Sequence, residues 1–521
     1  MDRTLAHERR WYTLGVLCLS LVLIGLDNTI LNVALPTLVR DLSASTSALQ
    51  WIVDSYVLVF AGLLLTAGAL GDKFGRRRAL TAGLVVFGLG SLLSAFAGSS
   101  TQLIATRALM GMGAAFVMPS TLSILTNSFT DPKERAKAIA IWAGVSGLGI
   151  GLGPVAGGWL LEHFWWGSVF LVNIPFIAIA LVLGTFVIPE SRDTDAPRLD
   201  MVGAGLSIVG LVSLVWTLIE APHNGWLGSS TLLGFAVAAV VLVAFAAWES
   251  KVANPMLDVS FFTNRRFSAG SAAITLVFFA LFGSLFLLTQ LLQFVLGYSA
   301  LEAGVRLLPI AVTLMLVAPN SARLVEWLGT KAVVASGMTL VAAGLFAASR
   351  LGVESAYWQV AMSMMIMAGG MALVMAPATE SIMGSLPPAK AGVGSAVNDT
   401  TREVGGALGV AVLGSIASSG YAHSIGKVID GTAMPASAAH AVKDSLGGAL
   451  QVAGRIGGQP GAALTDAARH AFVDGMGVTL LIAAGVALLG AVIALAFLPA
   501  RAEELELDAE SMTEELALQA A

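Results

Sequence analysis

Charge is scarce in this sequence. Only 12% of its 521 residues are Asp, Glu, Lys or Arg, against about 25% in soluble domains, whereas 56% are hydrophobic. The mean hydropathy is +0.83. Because so few charged side chains cannot cover the water-facing surface of a soluble protein this long, we expect most of the chain to lie in lipid. The net charge of −5 is small, and we expect no nucleic-acid partner.

Cysteine is nearly absent. The one cysteine, Cys18, lies in the first apolar run, so the sequence predicts no internal disulfide and no cysteine-based metal site. The six histidines show no metal-ligand spacing to one another. No Walker sequence for nucleotide binding occurs, which argues against a protein driven by ATP. We therefore expect neither a metal nor a cofactor.

Long apolar runs are abundant. A helix needs about 20 apolar residues to cross the hydrocarbon core of a bilayer. The first run follows Arg9 and Arg10 and is too long for the apolar part of a signal peptide, so it is interpreted as a retained helix. The sequence predicts an all-α membrane protein of fourteen transmembrane helices, centred near Gly25, Leu63, Gly88, Gly113, Gly149, Ile179, Gly210, Val240, Leu285, Leu316, Ala342, Gly369, Gly406 and Ala487.

The connections between these runs alternate in charge. The stretch from Lys73 to Arg78 and the pair Arg265–Arg266 are typical of the basic connections, and the short ones between them are nearly free of Lys and Arg. Basic loops face the cytoplasm, so we expect a multi-pass protein of the cytoplasmic (inner) membrane with both termini in the cytoplasm. A Gly/Ala-rich stretch at about 418–470 is then an extracellular loop with short helical or hairpin pieces.

A weak repeat relates the two halves of the chain. Asp72 and Gly75 precede a basic run, and Glu326 and Gly329 precede Lys331 with the same acid-to-glycine spacing. Parallel six-helix repeats are typical of one large class of secondary transporters. We predict a six-helix half at 1–190, a two-helix insertion with linkers at 191–260, a second six-helix half at 261–498 and a cytoplasmic tail at 499–521.

An acidic residue lies inside the first run. Asp27 belongs to the segment Leu26-Asp-Asn-Thr-Ile-Leu-Asn-Val-Ala-Leu-Pro36. A charge at the centre of a membrane helix costs about 2.5–3.5 kcal/mol on insertion scales, so such residues usually line a cavity or carry protons. The alternative is a structural acid that hydrogen-bonds to a neighbouring helix.

A tight basic turn separates the second and third runs. Gly75 permits the bend, and Asp72 can pair with a basic residue such as Arg76. We predict that these three residues form a conformational latch, which stabilises one of two helix packings. The alternative is a charge cluster that only sets the topology.

The fourth and fifth runs carry two further signals. Arg107 retains its charge when buried and needs acceptors; it either orients a nearby acid and influences its protonation, or binds backbone carbonyls in a structural role. The fifth run repeats small residues at helical spacing, which favours close helix contact, with a proline that permits a kink. These residues are Gly149, Gly153, Pro154, Gly157 and Gly158.

The thirteenth run holds three ionisable residues within about one turn. Glu403 lies four residues after Asp399, on one helix face, and Arg402 lies three residues after Asp399. Ionisable residues inside a span indicate a polar cavity, in which Asp399 would titrate or attract a cation. The alternative is a structural ion pair. Weaker cavity candidates are Asp54, Glu220 and Glu380.

Together these motifs resemble the fourteen-helix drug:proton antiporters of the major facilitator superfamily, over nearly the whole chain. The Asp27 segment is similar to the first-helix motif of that branch, and the Asp72–Arg78 turn to the superfamily's loop motif. Arg107 is similar to the fourth-helix arginine that the family associates with proton transfer, and the glycines from Gly149 to the fifth-helix motif of antiporters.

The resemblance implies a major facilitator fold of two six-helix halves plus two inserted helices, with alternating access. It also implies that Asp27 and Asp399 are the coupling or cation-recognising acids. The segment Trp166–Pro175 departs from the family's common Trp-Arg-Trp form and resembles exporters of quaternary ammonium antiseptics and dyes. The tenth run lacks the acid that some such exporters carry, which argues against divalent cations as substrates.

The sequence therefore predicts proton-driven efflux of lipophilic, cationic drugs or antiseptics by a monomer in the bilayer, powered by the proton motive force. Two other functions remain open. One is export of a single endogenous metabolite or antibiotic, with resistance as a by-product. The other is a membrane enzyme or sensor, although no nucleophile–base–acid set and no soluble catalytic domain is visible.

Overall fold

The computed structural model describes residues 9–498 apart from 130, 193–199, 254, 256, 387–390 and 431–433. These residues are almost entirely helical, and each predicted apolar run forms one long helix. The helices are α1 (Arg10–Leu42), α2 (Thr46–Phe74), α3 (Arg76–Ala95), α4 (Ser100–Ser128), α5 (Pro132–His163), α6 (Ser168–Val187), α7 (Met201–Asn224), α8 (Ser229–Glu249), α9 (Arg265–Gln290), α10 (Leu308–Leu328), α11 (Thr330–Ala348), α12 (Tyr357–Met383), α13 (Ala391–Ile429) and α14 (Gly458–Phe497).

Thirteen of these helices are long and apolar enough to cross a membrane. The remaining one, α5, has 32 residues and is about 48 Å long at 1.5 Å per residue. It packs along α1. All fourteen predicted centres lie inside these helices in the predicted order, so the predicted all-α membrane fold is confirmed.

The segment predicted as a loop at about 418–470 is shorter in the structure. Helix α13 continues to Ile429 and α14 begins at Gly458, so both helices extend into the predicted segment. The two short helices between them, Ala436–Asp444 and Leu446–Ile456, match the predicted helical pieces. This extension has a physical cause: an alanine-rich segment with isolated charges is a good helix former beyond the apolar layer. The place of the segment outside the membrane stays a prediction. The predicted tail at 499–521 lies outside the described residues.

The internal repeat has a structural counterpart. Gly75 joins α2 to α3 with φ of 123°, and Gly329 joins α10 to α11 with φ of 81°. Both values lie in a region that favours glycine. Backbones also approach closely at matching places, because an added Cβ at Gly83 would lie 2.8 Å from the Gly113 carbonyl oxygen, and one at Gly337 would lie 2.7 Å from that of Gly370.

The inserted helices lie outside the central contacts. Helices α7 and α8 pack on each other, and α7 also contacts α2 and α13. Most of the surface of α8 is exposed, as expected for a helix that faces lipid. The predicted limits of the two halves and the insertion stay a prediction.

Among the described residues, the hydrogen bonds between the two sets of six helices lie toward one end of the bundle. We call the end that carries the Gly75 turn and the start of α9 the basic end, and the opposite end the far end. At the far end the Gln293 amide donates to the Val33 carbonyl over 2.8 Å, and the Gln451 amide donates to that of Val39 over 2.9 Å. The bundle is therefore closed at its far end.

A further far-end contact involves the short helix Ala436–Asp444. The Thr46 hydroxyl, at the start of α2, donates to the Asp444 carbonyl oxygen over 2.8 Å. The Asp444 carboxylate lies 3.8 Å from His223 at the end of α7. Burial raises the pKa of the Asp444 carboxyl, and the nearby His223 and His440 act in the opposite direction. This contact joins α2, the insertion and the second half.

Candidate functional site

The structure brings together two of the predicted site residues, Asp27 and Arg107, which lie 80 positions apart in the sequence. The Arg107 guanidinium on α4 donates to the Asp27 carboxylate on α1, with Nη1 2.6 Å from Oδ2. Asp27 is 0% exposed and Arg107 2%. The arginine also donates from Nε to the Ile52 carbonyl over 3.2 Å. Arg107 thus contacts both an acid and a backbone carbonyl, and which of its two predicted roles applies stays a prediction.

A buried amide completes the coordination of Asp27. Asn173, on α6, donates from Nδ2 to Asp27 Oδ1 over 3.2 Å and to the Ser91 hydroxyl on α3 over 3.0 Å. Each carboxylate oxygen of Asp27 therefore has its own donor from a different helix. A buried charge needs such partners because an unpaired one is strongly disfavoured in a low dielectric.

Tyr56, on α2, lies against this ion pair. The Arg107 guanidinium carbon is 4.3 Å from the centre of the Tyr56 ring, within the range of a cation–π interaction. The ring also packs edge-on against Phe87, with centroids 6.5 Å apart. The Tyr56 hydroxyl is buried without a hydrogen-bond partner in the described structure, and it lies within electrostatic range of both Asp27 and Glu403.

Helices α2 and α13 place two groups of ionisable residues at a similar depth in the bundle. One is the Asp27–Arg107 ion pair beside Tyr56, and the other is the set around Glu403 on α13. The Gln50 amide on α2 donates to the carbonyls of Val410 and Ala411 on α13, over 3.1 and 3.0 Å. The helices run in opposite directions from this crossing. Tyr56 lies six residues further along α2 and Glu403 seven residues back along α13, which is about 9 and 10 Å at 1.5 Å per residue.

The α13 cluster is partly accessible. The Arg402 guanidinium lies 3.8 Å from the Asp399 carboxylate, and their side chains are 28% and 16% exposed. Arg402 also reaches Thr379 on α12 over 3.5 Å, and its guanidinium lies 5.6 Å from the centre of the Phe278 ring. Glu403 is partly exposed beside them. This arrangement can present negative charge to a ligand, which the fully buried Asp27 cannot do in this conformation.

Asp54 is buried without a partner. It is 0% exposed on α2, and neither of its carboxylate oxygens has a hydrogen-bond partner among the described residues. It lies one helical turn from Gln50 and shares the face that meets α13. A carboxylate in such a place is costly to keep charged, so this position is suited to a group that carries a proton.

Two weaker candidates lie elsewhere. Glu380 is exposed near the end of α12, within electrostatic range of Arg266 at the start of α9. Glu220 is partly exposed near the end of α7 and lines a groove between the inserted helices. The structure places neither of them in contact with Asp27 or with the α13 cluster.

The small residues of α5 contact both halves. An added Cβ at Gly149 would lie 2.8 Å from the Val22 carbonyl oxygen on α1, and one at Gly153 would lie 2.8 Å from that of Leu26. An added Cβ at Gly157 would lie 3.0 Å from the Ile30 carbonyl oxygen on the same helix. This face therefore packs α5 directly on the backbone of α1, as its spacing predicts.

A second face of α5 meets the other half. An added Cβ at Gly158 would lie 2.6 Å from the carbonyl oxygen of Ala300, at the start of the short helix Ala300–Arg306. The Pro154 carbonyl oxygen faces Gly304 of that helix at a distance that leaves no room for a Cβ. The far end closes here by backbone-to-backbone contacts that each require one glycine, Gly158 in α5 and Gly304 in the short helix.

The predicted latch residues form one connected turn. Arg76 Nε lies 2.6 Å from Asp72 Oδ1. Beyond this pair, the contacts lead to the segment after α6: Glu190 accepts from the Arg77 backbone amide over 3.1 Å, and the Arg76 amide donates to the Ser191 carbonyl over 2.9 Å. These contacts lie within the first six helices. The role of the turn as a latch between two packings stays a prediction.

We expect Gly75→Ala to destabilise this turn. The φ of 123° is strained for alanine, at a cost of about 1–3 kcal/mol. The new Cβ would also lie 2.7 Å from the Glu190 carboxylate and would displace it from Arg77. Thermal unfolding of the purified protein measures the effect. Gly225→Ala is the control because its φ is 79° and its Cβ would meet nothing closer than 4.0 Å. Equal losses in both variants would mean that the Glu190 contact contributes nothing.

Sequence reasoning missed Tyr56, Gln50 and Glu190, and it noted Asn173 only as part of a departure from the family pattern. Signals for them existed. Gln50 and Tyr56 are polar residues in an apolar helix, and Asn173 interrupts another. Glu190 is an acid at the end of α6, placed opposite a turn with three arginines. Their partners could not be read from the sequence because the contacts join helices far apart in the chain.

Comparisons with known proteins identify the family. Residues 17–410 match the model of the Major Facilitator Superfamily. The chain is 38% identical over 490 residues to the multidrug efflux pump LfrA of Mycolicibacterium smegmatis, covering 94% of this chain and 96% of the relative. It is 36% identical over 492 residues to the methyl viologen resistance protein SmvA of Salmonella typhimurium, covering 93% and 97%.

The fold has solved counterparts. One is a bacterial homologue of the human lysosomal transporter Spinster, in an inward-facing and unoccupied conformation, with a TM-score of 0.65 and 18% identity over 94% of this chain and 98% of that one. Identity this low speaks for the fold alone. The alternative of a membrane enzyme or sensor is set aside, because family and relatives indicate a transporter, as predicted. The chain belongs to the Major Facilitator Superfamily and is a multi-pass membrane transporter of its drug-efflux type.

Proposed function

We propose that this transporter exchanges lipophilic cationic drugs or antiseptics for protons by alternating access. The observation that carries the proposal is the presence of ionisable groups at similar depth on facing halves: the Asp27–Arg107 ion pair in one, and Asp399 and Arg402 with the adjacent Glu403 in the other. Ionisable residues within spans mark ion and proton pathways. No cofactor is needed, because the proton motive force supplies about 2.3 kcal/mol per charge for each 100 mV.

The two groups differ in access, which suggests different roles. Asp399 and Glu403 are partly exposed and would attract the cation. Asp27 is sealed by Arg107 and Asn173 and would be the coupling acid. A proton on Asp27 would remove its charge and weaken its hold on Arg107 and, through that residue, on Tyr56 of the helix that faces α13.

The charge of the loops determines the proposed orientation of the transporter in the membrane. With basic loops inside, the basic end faces the cytoplasm, both termini are cytoplasmic, and the membrane is the cytoplasmic (inner) one. Closure at the far end then makes this conformation inward-facing, ready to take a compound from the cytoplasm or the inner leaflet. Proton entry from the far side would drive the return to it. Nothing in this cycle requires a second copy, so we propose a monomer.

We expect Asp399→Asn to raise the cellular accumulation of ethidium to the level of cells without the transporter. The reason is that the substituted side chain keeps its shape and loses the charge that attracts the cation. Ethidium fluorescence in de-energised and re-energised cells measures accumulation, with surface expression checked in parallel. Glu354→Gln, the same charge change at an exposed far-end residue, is the control. Full efflux by Asp399→Asn would show that this acid is not part of substrate recognition.

The relative named as a multidrug pump favours broad specificity over export of one endogenous compound. A panel of lipophilic cations and neutral drugs in the same accumulation assay separates the two. Broad specificity predicts that several unrelated cations compete with ethidium. Competition by none of them would favour a single dedicated substrate.

A further inference from the structure

A groove separates the two inserted helices near the far end. It has a volume of about 370 Å³. Trp216, Glu220 and Asn224 of α7 line one side, and Thr231, Leu233 and Val237 of α8 line the other. Because α8 packs on α7 at the outside of the bundle, this groove is separate from the residues proposed for export.

The groove contains an uncompensated acid. Glu220 forms no hydrogen bond or ion pair within the described part of the chain, and neither helix has a Lys or Arg anywhere from residue 201 to 249. The nearest titratable neighbour in the sequence, His223, is directed to Asp444 at 3.8 Å. A single negative charge therefore faces a groove whose other walls are neutral.

An aromatic ring lies one turn from this acid. Trp216 precedes Glu220 by four residues, so both side chains lie on one face of α7. The Trp216 side chain is 59% exposed although it lines the groove. A carboxylate and an accessible tryptophan ring that line one groove can together attract an ammonium group, through charge and cation–π attraction. Leu233 and Val237 add an apolar wall suited to a hydrocarbon chain.

The depth of Glu220 fits an amphiphile. The residue lies 19 positions after the start of α7, which is about 28 Å along the helix at 1.5 Å per residue. The hydrocarbon core is about 30 Å thick, so Glu220 lies near its far boundary, where polar headgroups meet acyl chains. Asn224 and Trp226 follow it, as expected at such a boundary.

We propose that this groove binds the ammonium group of a membrane amphiphile, with its apolar part against α8. Two sources share this chemistry: the headgroup of an aminophospholipid, and a lipophilic cation dissolved in the outer part of the bilayer. The site goes beyond the proposed function and does not depend on it. The alternative is that Glu220 and Trp216 only anchor the helix at the interface, which predicts no saturable binding.

The test measures binding of radiolabelled dodecyltrimethylammonium to the full-length protein in nanodiscs of phosphatidylglycerol. The variants are Glu220→Gln, Trp216→Leu and, as a matched charge control on the far face, Glu354→Gln. Each is made with and without Asp399→Asn, which removes the proposed central cation site. We expect a saturable component that persists with Asp399→Asn, is kept in Glu354→Gln, and weakens about tenfold or more in Glu220→Gln and Trp216→Leu.

The lipid composition of the nanodiscs then distinguishes the two sources of the ammonium group. The same binding is measured in nanodiscs of equal parts phosphatidylethanolamine and phosphatidylglycerol. Suppression of the saturable, Glu220-dependent binding assigns the groove to an aminophospholipid headgroup. Unchanged binding assigns it to lipophilic cations. Equal saturable binding by Glu220→Gln and its parent, or the loss of all saturable binding with Asp399→Asn alone, would overturn the proposal. Loss of the Asp399-dependent component bears only on the proposed export site, so the two failures are distinguishable.

Discussion

Asp27→Asn is expected to reduce proton-coupled export to background. The amide keeps the size of the side chain and one acceptor for Arg107 but cannot exchange a proton in the transport cycle. The change also leaves the Arg107 guanidinium, which is 2% exposed, without its counter-charge. Removing one partner of a buried ion pair typically costs about 3–5 kcal/mol. A loss of stability must therefore be separated from a loss of coupling.

A second substitution separates the two effects. Asp27→Asn combined with Arg107→Gln replaces the ion pair by two neutral amides, so we expect its thermal stability to recover toward that of the wild type. Export should remain at background, because neither residue then carries the coupling charge. Substrate-dependent proton release and thermal unfolding are measured on the wild type, on Asp27→Asn and on the double variant. Export restored in the double variant would show that the pair is structural and that coupling lies elsewhere.

Gly158→Leu is expected to abolish export by keeping the far end from closing. A Cβ at this position would lie 2.6 Å from the Ala300 carbonyl oxygen in the other half, and a leucine side chain is larger still. Since the contact joins the two halves, the substitution should shift the population toward far-end-open states rather than unfold either half. Spin labels at Arg40 and Ser437, exposed at the far end, report this shift as a longer distance in a Cys18→Ser background.

Two variants serve as controls for this prediction. Gly485→Leu adds the same side chain on α14 where a Cβ would meet nothing within 4 Å, so neither the distance nor export should change. Gly153→Leu places the side chain against the Leu26 backbone inside the first half, so we expect lower stability without a shift in the distance. An unchanged distance in Gly158→Leu, with stability lost instead, would contradict this account of the far end.

The number and order of the helices follow from the sequence because a span requires about 20 apolar residues, and the chain has few charges with which to interrupt them. The ionisable residues were found for a related reason. Asp27, Arg107 and Asp399 are conspicuous inside apolar runs, since each needs a partner there. The glycines of α5 were predictable as well, because a four-residue spacing places Gly149 and Gly153 on one face.

What the sequence could not provide is which of these groups meet. Asp27 and Arg107 lie on different helices, and nothing in either local segment names the other as its partner. The same holds for Gln50 with Val410 and for Glu190 with Arg77, whose contacts depend on how whole helices pack. The helix ends within 418–470 could not be read from the sequence for another reason: the length of a membrane helix is limited by lipid only within the apolar layer, and α13 and α14 extend further.

The most direct test of the account measures proton release from inverted membrane vesicles that contain the wild-type transporter and have an acidified interior. A panel of lipophilic cations, including ethidium, is added while an interior dye reports pH. Cation:proton exchange predicts that the interior becomes more alkaline upon addition of a cation, only in vesicles that contain the transporter, and to an extent that saturates with cation concentration. No transporter-dependent proton release with any cation, from protein shown to be folded and inserted, would contradict cation:proton exchange as its function.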